Sequence, residues 1–285
     1  MREQLIRLFW ISRPVSWVNT AYPFAAGYLL GGGGFDWLLF VGTVFFLIPY
    51  NLLMYGVNDV FDYASDVQNP RKGGVEGASV AKAHHRSVLV AAGSITAPFV
   101  LILLLLGTTL ANLCLLVVLF FVLAYSVPYL RFKERPLLDS ITSSIHFVGP
   151  LLYGLVATGF DSAATVVLIA FFLWGMASHA FGAVQDIIPD RQGGIHSIAT
   201  VLGARLTVCL AFALYCVAGI VLFYYPMPTP LLCGVALLYA LNVAPFLSVS
   251  DADSGRSNSA WRHFIVLNLF AGFCITMLLL YLVRQ

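Results

Sequence analysis

The sequence predicts an all-α, polytopic membrane protein with nine transmembrane helices. Three observations carry that expectation. Hydrophobic residues make up 60% of the 285-residue chain and charged residues only 10%, where a soluble domain of this size holds roughly 25% charged residues. Mean hydropathy is +0.90. The apolar residues are gathered into runs of about 20, the length that crosses a hydrocarbon layer ~30 Å thick. Lipid leaves no partner for an unpaired backbone group, so runs of that length are helices. The net charge of +2 is too small to argue for nucleic acid, and no nucleic-acid motif is present.

The elements follow in order. Residues 1–14 form a short basic, amphipathic lead with Arg2, Arg7 and Arg13, closing at Pro14. Apolar runs then fall at about 15–31, 37–63, 88–106, 109–127, 138–158, 163–186, 204–225, 230–249 and 261–283. The first is followed by many more and shows no small-residue cleavage site, so it reads as a span and not as a signal peptide. Pro23, Pro49, Pro98, Pro150 and Pro245 lie inside runs. Prolines are tolerated in packed membrane helices and bend them, and Pro49 is placed to aim the residues after it. All five cysteines sit within apolar runs and read as small buried hydrophobes rather than disulfides or metal ligands.

The loops sort by charge. Of the 15 Lys and Arg, every one but Arg284 lies in the N-terminal lead, in the loops after runs two, four, six and eight, or at the second residue of the run that follows such a loop. The positive-inside rule puts those loops and the N-terminus in the cytoplasm and the C-terminus outside. The opposite loops, such as Gly107–Thr108, are short and nearly uncharged. Chemistry is therefore expected on the cytoplasmic face, where long loops stand on a rigid bundle. Residues 1–285 read as one domain.

The acidic residues concentrate at the end of run two, in NLLMYGVNDVFDYASDVQNPRKGG. At about 100° per residue, Asp62, Asp66 and Asp59 fall within about 100° of Asn58. Three carboxylates and an amide thus share one helix face. Unpaired, such a group repels itself and is costly at the end of a membrane helix. A hard divalent cation removes that cost, and Mg²⁺ suits it, being held by a few carboxylates and completed by substrate phosphates. A solvated acidic helix end is the plain alternative.

Run six repeats the arrangement as QDIIPDRQGG. Asp186 and Asp190 are four apart and face the same way, and Pro189 marks an ending or distorted helix. Asp59 and Asp62 are followed by Arg71-Lys72-Gly73-Gly74, and Asp186 and Asp190 by Arg191-Gln192-Gly193-Gly194. The recurrence four spans later, on the same side, fits a weak internal repeat. Two such clusters on one face can converge on two cations bridging one diphosphate. The loop after run four, YSVPYLRFKERPLLD, adds Tyr125, Arg131, Lys133 and Arg135. Arg offers phosphate oxygens a bidentate fork and Lys a point charge; ordinary positive-inside charge accounts for some of these. Asn51 and Tyr55 precede Asn58 on its face as candidate cavity residues. His146 and His179 read either as groups near the site or as packing histidines. Asn242 and Asn268 read as interhelical hydrogen bonders.

At these residues the chain resembles the UbiA superfamily of intramembrane prenyltransferases. The family pattern N-D-x-x-D-x-x-x-D matches Asn58, Asp59, Asp62 and Asp66, and its second D-x-x-x-D matches Asp186 and Asp190. The stretch Tyr125 to Pro136 is similar to members with polyisoprenoid acceptors, and the likeness runs over nearly the whole chain. It implies a helical ring around a central cavity, open sideways to lipid and capped by cytoplasmic loops. It also implies two Mg²⁺ ions on Asn58, Asp62, Asp186 and Asp190, with Asp59 and Asp66 in or beside that set as catalytic acids. Arg71, Lys72, Tyr125, Arg131, Lys133 and Arg191 are the implied diphosphate-binding group. The loop Asn69–Gly77 departs from the R-P-L-x-S-G of aromatic-acceptor members. With the leading SRPVSWVNTAYPF it resembles the bacterial lycopene elongases of fifty-carbon carotenoid pathways. That resemblance implies a bacterial cell-membrane enzyme moving a dimethylallyl group from dimethylallyl diphosphate to lycopene. Two other readings stand beside it: an aromatic or quinone-precursor acceptor, and a transporter, since buried acids also mark ion routes.

Overall fold

Prolines, glycines and a few buried amides decide where the helices of this chain stop and how closely they pack. The structure is a computed structural model and describes residues 2–63, 80–162 and 164–283. Of the expected site residues, Asp66, Arg71 and Lys72 lie outside the described residues, as does the loop Asn69–Gly77. The described residues contain helices and turns and no strand. They group into two compact units, Met1–Phe132 with His146–Phe160, and Lys133–Ile145 with Asp161–Gln285.

The first unit holds α1 (Arg2–Ile11), α2 (Val18–Leu30), α3 (Trp37–Leu47), α4 (Pro49–Phe61), α5 (His85–Leu106), α6 (Thr109–Ser126) and the C-terminal part of α7 (Leu138–Thr158). Run two is a single apolar span, Trp37–Phe61, but two helices. Pro49 has no N–H for the carbonyl of Phe45, and its ring clashes with that carbonyl. The break falls one residue ahead, at Ile48, and α4 starts afresh with Pro49 at its first position. The Asn51 amide repairs the gap: its Nδ2 donates to the carbonyls of Phe46 (2.8 Å) and Leu47 (3.1 Å) and to Oγ1 of Thr20 (2.7 Å). Asn51 is fully buried and belongs to this repair rather than to a cavity lining.

An aromatic core of Phe24, Phe45, Phe46, Tyr50 and Tyr153 fills this unit, with the rings of Phe24 and Tyr153 stacked at 5.7 Å. α2 and α7 approach through glycine. A Cβ at Gly154 would stand 2.5 Å from the carbonyl oxygen of Phe24, and one at Gly27 would stand 2.4 Å from that of Leu151. Small residues at such crossings let membrane helices pack backbone to backbone.

The second unit holds the start of α7, then α8 (Ala164–Val184), α9 (Ile187–Gln192), α10 (Ile198–Leu202), α11 (Ala204–Val221), α12 (Cys233–Val243) and α13 (Asn258–Val283). Its core is built on Phe181, Tyr215, Tyr239 and Phe264. Polar ties cross it as expected: Tyr239 Oη donates to Asn268 Oδ1 at 2.7 Å, and Asn242 Nδ2 to the carbonyl of Ala260 at 3.0 Å. The five cysteines are free.

Among the described residues, eight helices are long and apolar enough to cross a membrane. The ninth expected span corresponds to α2, which has 13 residues, about 20 Å of helix. It is short because Arg13 turns into the left-handed region (φ 50) and a separate 3-10 turn, Pro14–Ser16, uses the residues before it.

Candidate active site

α4 delivers Asn58, Asp59 and Asp62 at its C-terminal end. The helix stops at Phe61 and Asp62 is its C-cap, its N–H donating to the carbonyl of Asn58 at 2.9 Å. The spacing of four places the two side chains together as expected: Asn58 Nδ2 donates to Asp62 Oδ2 at 2.7 Å. The same amide donates to Ser126 Oγ at 3.0 Å. Ser126 is the last residue of α6 and the serine of the Tyr125-Ser126 pair, so the pair fixes the orientation of Asn58.

Asp59 turns toward the N-terminal lead. Its Oδ1 lies 2.8 Å from Arg13 Nη2, and the guanidinium of Arg13 stands 4.1 Å over the ring of Tyr55. Asp59 is 1% exposed and Asp62 6%. Tyr55 is therefore a platform for Arg13, and Arg13, read from sequence as ordinary positive-inside charge, meets the acidic motif directly.

The loop after α6 reaches the same place. Arg131 directs Nη1 to the carbonyl of Phe61 at 3.5 Å, near the limit of a hydrogen bond, at the negative end of α4. Among the described residues, four non-glycine residues have positive φ, and all stand next to the site motifs: Arg13 at 50°, Tyr129 at 75°, Arg131 at 37° and Leu137 at 73°. Each costs on the order of 1–2 kcal/mol, and such strain gathers at functional sites. Tyr125 meets the ring of His146 edge-on at 5.1 Å, and His146 is held by the carbonyl of Phe121 at 3.3 Å. Lys133 is half-buried in the 3-10 turn Phe132–Glu134.

In the second unit the acid pair stands at a second proline break. Pro189 clashes with the carbonyl four residues back, that of Gln185, and α8 ends at Val184 just before it. Asp186 is the N-cap of α9, and Asp190 N–H donates to the carbonyl of Asp186 at 2.9 Å. Gln185 bridges the break, donating to the carbonyl of Gly182 (3.0 Å) and accepting from Asn258 Nδ2 (2.5 Å). Both aspartates are half-exposed.

Arg191 was expected on a diphosphate, and the structure gives it other partners. Its Nε and Nη2 donate to the carbonyl of Thr200 at 3.1 and 2.7 Å, and its Nη1 to Asp251 Oδ2 at 2.6 Å. Asp251 Oδ1 accepts the N–H of Ala204 at 2.6 Å, which caps α11. That backbone donor, then Arg191, holds the Asp251 carboxyl below the usual carboxylate range. Asp139 is fully buried and accepts the N–H groups of Ser140 and Ile198, each at 2.6 Å, anchoring the loop after α9. Ser140 Oγ lies 3.0 Å from His179 Nδ1, so His179 is tied to the start of α7. Sequence reasoning passed over Ser126, Gln185 and Asp251, since each acts on a partner far along the chain.

Among the described residues no three His, Cys, Asp or Glu side chains come together as a metal site. The donor set at the end of α4 fits a hard cation nonetheless: amide and carboxylate oxygens at a helix end, with Asn58 held by Ser126 so that it and Asp62 face each other.

A model of the UbiA prenyltransferase family matches residues 20–279. The chain is 51% identical over 280 residues to the C(50) beta-cyclic carotenoids biosynthesis protein LbtBC of Dietzia sp. (strain CQ4), covering 97% of this chain and 65% of that one. This chain thus spans just under two thirds of that relative's length. It is 48% identical over 283 residues to the lycopene elongase/hydratase of Corynebacterium glutamicum, covering 98% of each. Among solved structures, a UbiA homolog from Archaeoglobus fulgidus bound to DMAPP and Mg²⁺ superimposes with a TM-score of 0.69 at 17% identity, covering 93% of this chain and 98% of that one. The apo UbiA homolog from Aeropyrum pernix K1 gives 0.67 at 19%, covering 92% and 98%. Likeness at these identities shows the fold.

Proposed function

We propose that this chain, which belongs to the UbiA prenyltransferase family, is an integral membrane enzyme that transfers a dimethylallyl group from its diphosphate to lycopene. The observation that carries the acceptor is the end-to-end match to the Corynebacterium protein named for lycopene elongation. In this reading Asn58, Asp62, Asp186 and Asp190 hold two Mg²⁺ ions, with Asp59 and Asp66 beside them. Bound there, Mg²⁺ supplies Lewis-acid stabilisation of the departing diphosphate.

The chain's own residues do the rest. Arg131, Arg71, Lys72 and Lys133 neutralise the diphosphate, Arg131 from the C-terminal end of α4 and Tyr125 alongside. Ser126 fixes the Asn58 amide, and Arg13 fixes Asp59. The carbon–oxygen bond to diphosphate breaks and leaves an allylic cation, which the apolar surroundings keep from water. A terminal double bond of lycopene attacks it. The resulting tertiary cation loses a proton or takes up water and then loses one, so a product carries either a new double bond or a hydroxyl. Arg191 serves in this reading as a staple for the segment carrying Asp186 and Asp190. The basic loops and the N-terminus face the cytoplasm and the C-terminus faces outward, from the distribution of Lys and Arg.

Mass spectrometry of lipid extracts from a lycopene-producing host, with and without the protein, tests the acceptor. Carotenoids five and ten carbons longer are expected, some with a hydroxyl. A prenylated phenol or naphthoate in place of any elongated carotenoid overturns the acceptor and leaves the family standing.

A further inference from the structure

We propose that α1 lies in the plane of the membrane–water interface, with the bilayer itself covering its outer face and anionic headgroups drawn to Arg2 and Arg7. One side of α1 is docked on protein: Ile11 is fully buried, and with Leu8 it packs against Leu52, Val60, Val88 and their neighbours on α4 and α5. Taking Ile11 as zero at about 100° per residue, Leu5, Phe9, Ile6 and Trp10 fall between about 120° and about 260°, on the side away from that contact. These four are exposed, Leu5 and Trp10 at 61% each, Ile6 at 48% and Phe9 at 46%. An arc that wide on a short helix, interrupted only by Arg2 at about 180° in the first turn, needs a cover.

The lipid interface is the cover that fits. The arc is rich in aromatic surface, with Phe9 edge-on to both Trp10 (5.4 Å) and Trp17 (5.5 Å). Amphipathic aromatic rings settle at the headgroup level. Arg2 and Arg7 outnumber the one acid, Glu3, which matches an anionic surface. Val15, in the 3-10 turn Pro14–Ser16, and Val18, the first residue of α2, are exposed as well. The helix axis also stops short of the membrane. Arg13 leaves helical geometry at φ 50, and Pro14 opens a separate 3-10 turn before α2. The corner is pinned by Trp17 Nε1, which donates to the carbonyl and hydroxyl of Ser12 at 3.0 and 3.1 Å. Two residues past Ile11, Arg13 grips Asp59, which ties the end of α1 to the acidic helix end.

The test is tryptophan quenching in vesicles of mixed phosphatidylcholine and phosphatidylglycerol, using lipids brominated close to the ester end or close to the methyl end of the acyl chain. The full chain is compared with Trp10→Phe, a conservative change, and the difference isolates Trp10. Expected is a Trp10 component that is blue-shifted and loses most of its emission to the ester-end bromines, with much less loss to the methyl-end ones. Phe9→Trp, read in the Trp10→Phe background, is expected to report the same depth. A Trp10 component that neither bromine position quenches overturns the proposal. So does one whose blue shift disappears on dilution into excess lipid, since a second copy of the chain would then be the cover.

Discussion

Arg13 and Asp59 stand 2.8 Å apart and join two parts of the chain that the primary structure separates by 46 residues. The aspartate side chain is fully enclosed and the arginine's is 17% exposed. The pair brings the basic N-terminal lead into the acidic motif of α4, and Tyr55 supports the guanidinium from beneath. A charge held this way sets where Asp59 can point.

Breaking the pair from the arginine side takes the Arg13 counter-charge away from a buried carboxylate. Arg13→Ala is expected to cost on the order of 3 kcal/mol, seen as a lower thermal midpoint of the purified protein in nanodiscs. Arg13→Lys keeps the charge and loses the planar fork that stacks on Tyr55, so an intermediate loss is expected. A midpoint for Arg13→Ala equal to that of the unmodified chain would show that the pair contributes nothing.

The proline break in run two makes a second demand. Asn51 donates to two carbonyls freed near Ile48 and to Thr20. In lipid those acceptors have no water to turn to. Asn51→Leu keeps the volume and removes all three donations, with an expected cost of about 1–3 kcal/mol. Hydrogen exchange at α4 measures it, since the helix start should open more readily. Unchanged exchange across Pro49–Phe61 would refute the repair.

How much of this was legible in advance follows from the range of each interaction. Hydropathy is summed over about 20 residues, so most of the spans and the all-helical class were plain. Asn58 and Asp62 were legible as neighbours because four residues is a turn of helix. The proline effects were legible as distortions, though not to the residue at which each helix stops. Helix α8 ends at Val184, ahead of Pro189, because the clash reaches back to residue i−4. Arg13 on Asp59, Ser126 on Asn58 and Asp251 on Arg191 carry no periodic signal. Each pairs residues 46, 68 and 60 positions apart respectively. The basic charge of Arg191 was visible for that reason and its partners were not. Asp66, Arg71 and Lys72 rest on the sequence alone.

Acid should loosen the Asp251 staple. Its carboxyl lies below the ordinary range because it accepts from Ala204 N–H and then from Arg191. A depressed folded pKa means that its stabilisation is complete above the unfolded value, about 3.9, and fades as pH falls through the folded value. Thermal midpoints measured from neutral pH downward are expected to fall on the acid side. Asp251→Asn is expected to start lower and to fall less steeply. Asp36, lowered chiefly by its hydrogen bond from Tyr28, shares the direction and leaves some acid sensitivity in the variant. Parallel curves for the two proteins would show that Asp251 does not titrate with unfolding.

The two acidic segments make the strongest functional demand. Asp62 ends α4 beside Asn58, and Asp186 caps α9 within one turn of Asp190. Both stand at helix ends, and both are followed in sequence by a basic residue and paired glycines. If the two sets each hold one cation on a shared diphosphate, losing either set removes charge stabilisation that the other has no means to replace. Asp62→Ala and Asp186→Ala are each expected to lower turnover by at least about 10²-fold, with normal membrane insertion and little change in thermal midpoint. Combining them should add little, because groups acting as a unit are not additive. The assay is diphosphate release at saturating Mg²⁺ and dimethylallyl diphosphate, with lycopene supplied in the same nanodiscs. A near-normal rate in either single variant would mean that one acidic set suffices and that the second serves the fold alone.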